Sequence, residues 1–573
     1  MTSAAKAETK DTAAKAEFRA GVRAALKEGR HDEAKAMLDA APKRWRGTYS
    51  MRLLRAEVLQ ACGDFAAALD DLRALHERFP DKNAAALAML RLLLEKDRLL
   101  EARAVFETAV WTSAVSDEYK SQLIILLSTR HSNLDESERF LKRLLSASPS
   151  NLIVLTRLAV IQGRQGRWDE ALSMFDEIAA LGPVPEYARR IRADLLQARG
   201  RAAQSLAIAR ELAAANPHRV DHAHRLTLAL TSSGAHGESA MVLRDAATKW
   251  PSDWRLLYRL NRCVPVTPLW DETFAIFESA FNPIRADARA LFQFAVASLR
   301  QGKTEQSLAA LDAIAQRGLV STHAKPLQRI LTRFSPEEWR ARMRLADDPA
   351  AGVQIVDVDG ADTTIIVFGG VDFGLSSLPF GYVDALFSGY RANVIYLRDF
   401  NFRVYFDGIS SLAPTAGQTI DRLRDILERI GTRRLITIGY SVSGFAAVRY
   451  GVRLGAQTTI TFGAPTTLEA EFEADSKAGV GFNPRGLKVA LSFRLSDEEK
   501  DLVKDLAEAP SIRAFHYYAA EYPAEVAHAD RFRHLGNVEL RPLNISNHSV
   551  ANYAIAENIL DRVLVDEIGV PRA

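Results

Sequence analysis

Ser441 stands where a nucleophile needs to stand. It lies in Leu435-Ile-Thr-Ile-Gly439-Tyr440-Ser441-Val442-Ser443-Gly444-Phe445, which reads as an apolar strand, a tight turn and the start of a helix. Gly439, Ser443 and Gly444 are small enough for such a turn, so the serine Oγ would stand clear above the strand end. The following helix would aim its N-terminus at the site and favour negative charge developing there. A serine hydroxyl is scarcely ionised at neutral pH, so attack on an acyl carbon also needs a base within hydrogen-bond reach.

The segment resembles the nucleophile turn of the α/β-hydrolase superfamily, and the resemblance extends over roughly residues 350–565. The usual pattern there is Gly-x-Ser-x-Gly; here Ser443 takes the place of the second glycine and Gly444 follows it. The resemblance implies that the base is a histidine in the loop after the last strand, which His548 fits in Asn544-Ile-Ser-Asn-His548. It implies an acid after the preceding strand to orient that histidine. Glu521 comes soonest and is preferred, with Glu525, at the start of the next helix, as the alternative. The oxyanion is expected to meet the Val442 N–H and a second N–H, from Gly370 or Val371, in the loop Phe368–Gly374. No cofactor is required. Glu525, His528 and His534 have no matching cluster elsewhere to make a metal site, and Asp530 reads as a helix-face residue.

The stretch Arg398–Gly408 is dense in aromatics, and Tyr405, Phe406 and Tyr440 are expected to wall the substrate pocket. With the turn Phe462-Gly-Ala-Pro465, it is similar to hydrolase-like proteins of bacterial surface-polysaccharide and glycoprotein handling. That likeness implies an ester on a carbohydrate-linked or protein-linked substrate, cleaved by a serine esterase or transferred by an acyltransferase. The competing reading is a scaffold that keeps the fold and uses it only for binding.

Seven strands are expected to carry these residues: 353–360, 363–368, 393–397, 434–438, 458–462, 512–518 and 538–543. Helical patterns separate most of them, notably 417–430 and 444–454, so residues 351–573 are expected to form a doubly wound, mostly parallel sheet.

The first half of the chain keeps a different period. A small residue recurs at Ala34, Ala68, Ala102, Ser137, Ala171, Ser205, Ser239, Thr273 and Ser307, at steps of 34 with one of 35. The motif Gly29-Arg30-His31-Asp32-Glu33-Ala34 returns as Gly166-Arg167-Trp168-Asp169-Glu170-Ala171. Pro80, Pro149, Pro183, Pro217 and Pro251 each follow the small position by twelve residues and should end a helix. Units 83–116 and 253–286 lack that proline, and Trp111 and Trp270 are read as packing compensation. The period, the small residue and the proline resemble the tetratricopeptide repeat family, over about nine units in residues 15–325. This implies an all-α solenoid whose groove takes a protein or peptide. Residues 1–14 are expected as a disordered tail and 326–350 as a linker, making the chain multi-domain.

Composition narrows the rest. Basic and acidic residues number 74 and 71, a balance that gives no reason to expect nucleic acid. Cys62 and Cys263 lie in different repeats and are expected to stay reduced. The first residues lack the apolar core of a secretion signal and no stretch is long enough to span a bilayer, so a cytoplasmic location is expected.

Overall fold

The computed structural model describes residues 3–573 except 28, 81, 97, 112–115, 122, 125–133, 166, 199–200, 264, 266–267, 320, 469–495 and 497–498. Gly166 of the repeated motif therefore lies outside the described residues. The chain divides into two compact units, residues 1–165 with 176–181, and 166–175 with 182–573.

The first unit is built of helical hairpins such as Tyr49–Ala61 with Phe65–Arg78. The helix Ser3–Lys27 runs through the segment expected as a disordered tail. Its Asp11 carboxylate accepts hydrogen bonds from the Arg44 guanidinium at 2.7 Å and the Trp45 indole at 3.1 Å. In unit 83–116, one of the two that lack the proline, Trp111 packs edge-on against Phe106 and tilted against Phe140.

All nine small positions lie on the second helix of a hairpin and are buried. Burial at a close helix crossing explains the restriction in size. At two of the serine positions the hydroxyl crosses to the first helix: Ser205 Oγ donates to Ala193 O at 2.9 Å, and Ser239 Oγ to Thr227 O at 3.1 Å. Each marker proline stands two residues beyond a helix end, at Arg78, Ala147, Leu181, Ala215 and Lys249.

The second unit holds the later hairpins, including Trp254–Leu260 with Leu269–Ala280 and Ala288–Arg300 with Thr304–Gln316, followed by a seven-stranded sheet. The strands are β1 (Val353–Val356), β2 (Thr363–Phe368), β3 (Asn393–Leu397), β4 (Arg434–Tyr440), β5 (Thr458–Phe462), β6 (Arg513–Ala519) and β7 (Val538–Leu543). Their order is β1-β3-β2-β4-β5-β6-β7, with only β1 antiparallel to its neighbour. Continuous β-branched and apolar runs form the central strands because both faces are covered. Ile366, Phe368, Ile395 and Leu397 pack with the helices Ala416–Arg429 and Val442–Leu454. Ile365, Val367, Ile436 and Ile438 face the other way, into a core shared with the C-terminal helices.

That second core does not stop at the sheet. It continues through Trp339, Leu331 and Leu327 back to Leu243 in the repeats. The segment expected as a linker accordingly carries two helices, Ala324–Leu331 and Pro336–Arg342, the latter opened by a capping box between Ser335 and Glu338. Fully buried Asp384 fixes the chain just beyond them. It accepts the backbone N–H groups of Arg344 and Leu345, the Arg344 guanidinium and the Tyr396 hydroxyl. Parallel register aligns Phe368 with Gly439, Tyr440 with Phe462, and Ala519 with Leu543. The loops after β2, β4, β5, β6 and β7 therefore gather at one edge, the carboxyl end of the sheet, where open α/β sheets bind ligands.

Candidate functional site

Ser441 is the single residue between the last residue of β4 and the helix Val442–Leu454. The reversal forces it to φ 51° and ψ −134°, a conformation that costs a non-glycine residue on the order of 1–3 kcal/mol. Surrounding bonds hold it there. Its N–H donates to Phe462 O at 2.9 Å, and its carbonyl accepts the Gly444 N–H at 2.9 Å. A Cβ on Gly439 would lie 2.4 Å from Ser443 O, and one on Gly444 would lie 2.6 Å from the Ala464 Cβ. Gly444 thus provides the close approach at this turn. Ser443 is buried; its Oγ accepts the Tyr440 N–H at 3.2 Å and shares its proton between Phe368 O at 2.9 Å and Tyr440 O at 2.8 Å. It stitches the turn to the end of β2.

His548 follows β7 and reaches the same edge. Its Nδ1 lies 2.5 Å from Glu525 Oε1, and Glu525 Oε2 accepts the Ala519 N–H at 2.7 Å. The carboxylate that meets the histidine is therefore Glu525, buried in the first turn of Pro523–Asp530, and not the preferred Glu521. Glu521 is exposed on the turn, its N–H donating to Ile545 O at 3.1 Å. The hydrogen bond to Glu525 assigns the proton to Nδ1, leaving Nε2 as the acceptor nitrogen. Tyr440, next to Ser441, holds the other side of the loop. Its hydroxyl donates to His548 O at 2.5 Å and the two ring centroids are 5.1 Å apart. Burial, helped by the Glu525 and Asp372 charges, raises the Tyr440 pKa and keeps that donor protonated.

Of the oxyanion candidates, the Gly370 N–H is engaged, donating to Gly374 O at 2.9 Å. Among the described residues, the Val371 and Val442 N–H groups have no backbone acceptor. Both border a small recess with Gly369, Gly370 and Ser443.

The aromatic stretch is mostly bracing. Tyr405 lines the floor of the recess, but its hydroxyl is spent on Leu397 O at 2.8 Å and Gly369 O at 2.9 Å. Asp399, buried, gathers the N–H groups of Asn401, Arg403 and Tyr405 at 2.7–3.0 Å. Phe406 packs on Phe445 and Arg449, in the core on that side. Of the three expected pocket walls, Tyr440 is the one whose ring packs, tilted, against His548. Among the described residues no His, Cys, Asp or Glu group is arranged to hold a metal. Glu525 is engaged by His548, and His528 Nδ1 accepts the Thr466 N–H at 3.1 Å.

The repeats also contribute side chains to this edge. Arg262 lies 3.0 Å from the Asp372 carboxylate, next to Val371. Arg300 reaches Asn261 O at 2.8 Å and Asp372 O at 3.4 Å. His323 Nδ1 bonds the Ser549 hydroxyl, adjacent to His548, and Arg329 and Arg333 hold Glu557 and Ile555 O on the helix beyond. Burial, then the charges of His548 and Arg262, push the His323 pKa down to about 4. A cavity of about 340 Å³ opens between Lys325 and Pro326 on the repeat side and Ile545, Asn547 and Tyr553 on the other. These contacts join residues up to 228 apart, which no local pattern reveals.

Comparison with protein-family models gives no match, and comparison with curated proteins gives none either. Among solved structures, a tetratricopeptide repeat protein from Parabacteroides merdae is 15% identical with TM-score 0.30, over 50% of this chain and 99% of its own. YrrB, a tetratricopeptide repeat protein with an unusual peptide-binding site, is 14% identical with TM-score 0.21, over 35% and 87%. FphF, a fluorophosphonate-binding serine hydrolase of Staphylococcus aureus, is 14% identical with TM-score 0.28, over 36% and 86%. Likeness at this level carries no argument about function. The helical-repeat array and the C-terminal mixed sheet stand on their own geometry, and no described helix is long and apolar enough to cross a membrane.

Proposed function

We propose that the C-terminal domain is an α/β-hydrolase-type acyl-transfer enzyme acting on a carboxylic ester, with the repeat array as its protein-facing module. One observation carries the reading: Ser441 is held at a strained strand-to-helix turn on the same sheet edge as the His548–Glu525 pair. Ser441 Oγ attacks the acyl carbon while His548 Nε2 takes its proton. Glu525 holds the imidazole and stabilises its charged form. The Val442 and Val371 N–H groups face the developing oxyanion. His548 then returns the proton to the leaving alcohol, and water or a second alcohol releases the acyl group from Ser441. Hydrolysis and transfer use the same residues, and a carbohydrate-linked or protein-linked ester fits both.

The test is the pre-steady-state release of p-nitrophenol from p-nitrophenyl acetate by the full chain. A burst stoichiometric with protein, absent from Ser441→Ala, is expected. No burst from the folded wild type, or an equal one from the variant, removes Ser441 as nucleophile.

A further inference from the structure

Around the helix Trp254–Leu260 the repeats carry many arginines, and almost all are matched. Arg225 pairs with Asp194 at 3.0 Å, Arg255 with Asp253 at 2.7 Å and with Asp221, and Arg262 with Asp372 at 3.0 Å. Arg259 differs. Among the described residues no carboxylate pairs with it, and its hydrogen-bond partner is the His224 ring nitrogen at 3.3 Å. Burial pushes the His224 pKa down to about 3, so His224 is a neutral acceptor and compensates no charge. Burial also lowers the Arg259 pKa, to about 10, with the Arg262 charge adding to the shift; Arg259 remains a cation at neutral pH. Its Nε is enclosed without an acceptor. A shielded guanidinium without a counter-ion costs stability and gains it back when an anion arrives.

The surroundings give direction to that vacancy of charge. Arg259 and Arg262 both stand over the Tyr258 ring, at 5.6 and 3.7 Å from its centroid. Arg262 in turn touches Asp372 in the oxyanion loop, and its charge acts on both His323 and Tyr440. The unmatched cation is thus linked to the oxyanion loop through the Tyr258 ring, Arg262 and Asp372. Guanidinium groups bind carboxylates in a bidentate, directional way, and the tyrosine face adds an apolar support for the chain that carries the acid.

We propose that Arg259, with Arg262 beside it, binds a carboxylate carried by the ester substrate, so that the repeat array selects anionic esters for Ser441. This inference rests on the proposed ester chemistry for its kinetic arm only. The binding arm uses Ser441→Ala and thermal denaturation with millimolar monomethyl glutarate, against neutral dimethyl glutarate. The acid is expected to raise Tm and the diester to leave it unchanged, and the double variant Ser441→Ala/Arg259→Met should lose the response. The kinetic arm compares mono-p-nitrophenyl glutarate with p-nitrophenyl butyrate. The wild type should favour the acid in kcat/KM by about tenfold or more, and Arg259→Met should abolish that preference through KM while leaving the neutral ester unchanged. Removing an uncompensated cation should not lower Tm in the absence of ligand. A variant that melts early and loses both esters equally would make Arg259 a structural residue and overturn the proposal, as would equal Tm responses to acid and diester. If neither ester is turned over, the reading of Ser441 fails, and the thermal shifts still decide the anion site.

Discussion

Glu525 Oε1 lies 2.5 Å from His548 Nδ1, and Gly463 is what lets the two approach. This glycine sits at φ 55° directly after β5, where a Cβ would lie 2.9 Å from Glu525 Oε1 and 3.1 Å from His548 Cε1. Its neighbour Phe462 accepts the Ser441 N–H. Three loops from β4, β5 and β6 thus meet around one hydrogen-bonded pair supplied in part by the loop after β7.

Gly463→Ala is expected to displace the imidazole while leaving the sheet intact. A displacement of about 1 Å costs on the order of 100-fold in rate. The fluorophosphonate labelling rate should fall by that much while the far-ultraviolet circular dichroism is unchanged. An unaltered rate would show that the pair tolerates the extra carbon.

The two candidate acids separate cleanly. Glu525→Gln should reduce ester turnover by on the order of 10³–10⁴-fold, because it upsets the tautomer and the charge that support His548. Glu521→Gln, at an exposed turn position, should leave turnover unchanged. The opposite ranking would return the role to Glu521.

Ser443→Ala removes a hydroxyl that satisfies Phe368 O and the Tyr440 N–H inside the turn. A loss of about 1–3 kcal/mol in urea unfolding is expected, with labelling of Ser441 retained. A stability equal to wild type would mean that the stitch between β4 and β2 contributes nothing.

Acid should destabilise the protein in a definite window. Burial lowers the pKa of His224 to about 3, of His323 to about 4 and of His516 to about 3. Each has a lower pKa folded than unfolded, so the unfolded chain binds more protons as pH falls below about 6.5. Their contribution is complete above about pH 6.5 and is lost as pH falls towards these folded values, on the order of 1–2 kcal/mol each by pH 5. Urea midpoints at pH 7 and pH 5 check this, and replacing His516 with Gln should flatten the difference. An unchanged midpoint would contradict the buried neutral histidines.

The parts legible in the sequence were those fixed by local sterics. The 34-residue register follows from a helix crossing that admits only Ala, Ser or Thr, and the Ser441 turn from glycines whose Cβ would collide. Nearness to the strand end favours Glu521 over its alternative Glu525, yet the carboxylate that meets His548 is Glu525. Glu525 sits in the first turn of the next helix and reaches back to the Ala519 N–H, a return path that spacing alone does not encode. Tyr405 read as a pocket wall because aromatic density is the same for walls and braces; only its hydroxyl partners tell them apart. The joining of repeats to sheet through Arg262, Arg300 and His323 depends on side chains far apart in the chain, and no periodicity carries that information.

The most direct measurement is reaction of the full chain with a fluorophosphonate probe, followed by mapping of the modified peptide. Stoichiometric modification at Ser441, lost in both Ser441→Ala and His548→Ala, is the predicted result. A folded wild type that does not react, or that reacts at another serine, would contradict the assignment of this edge of the sheet as an acyl-transfer site.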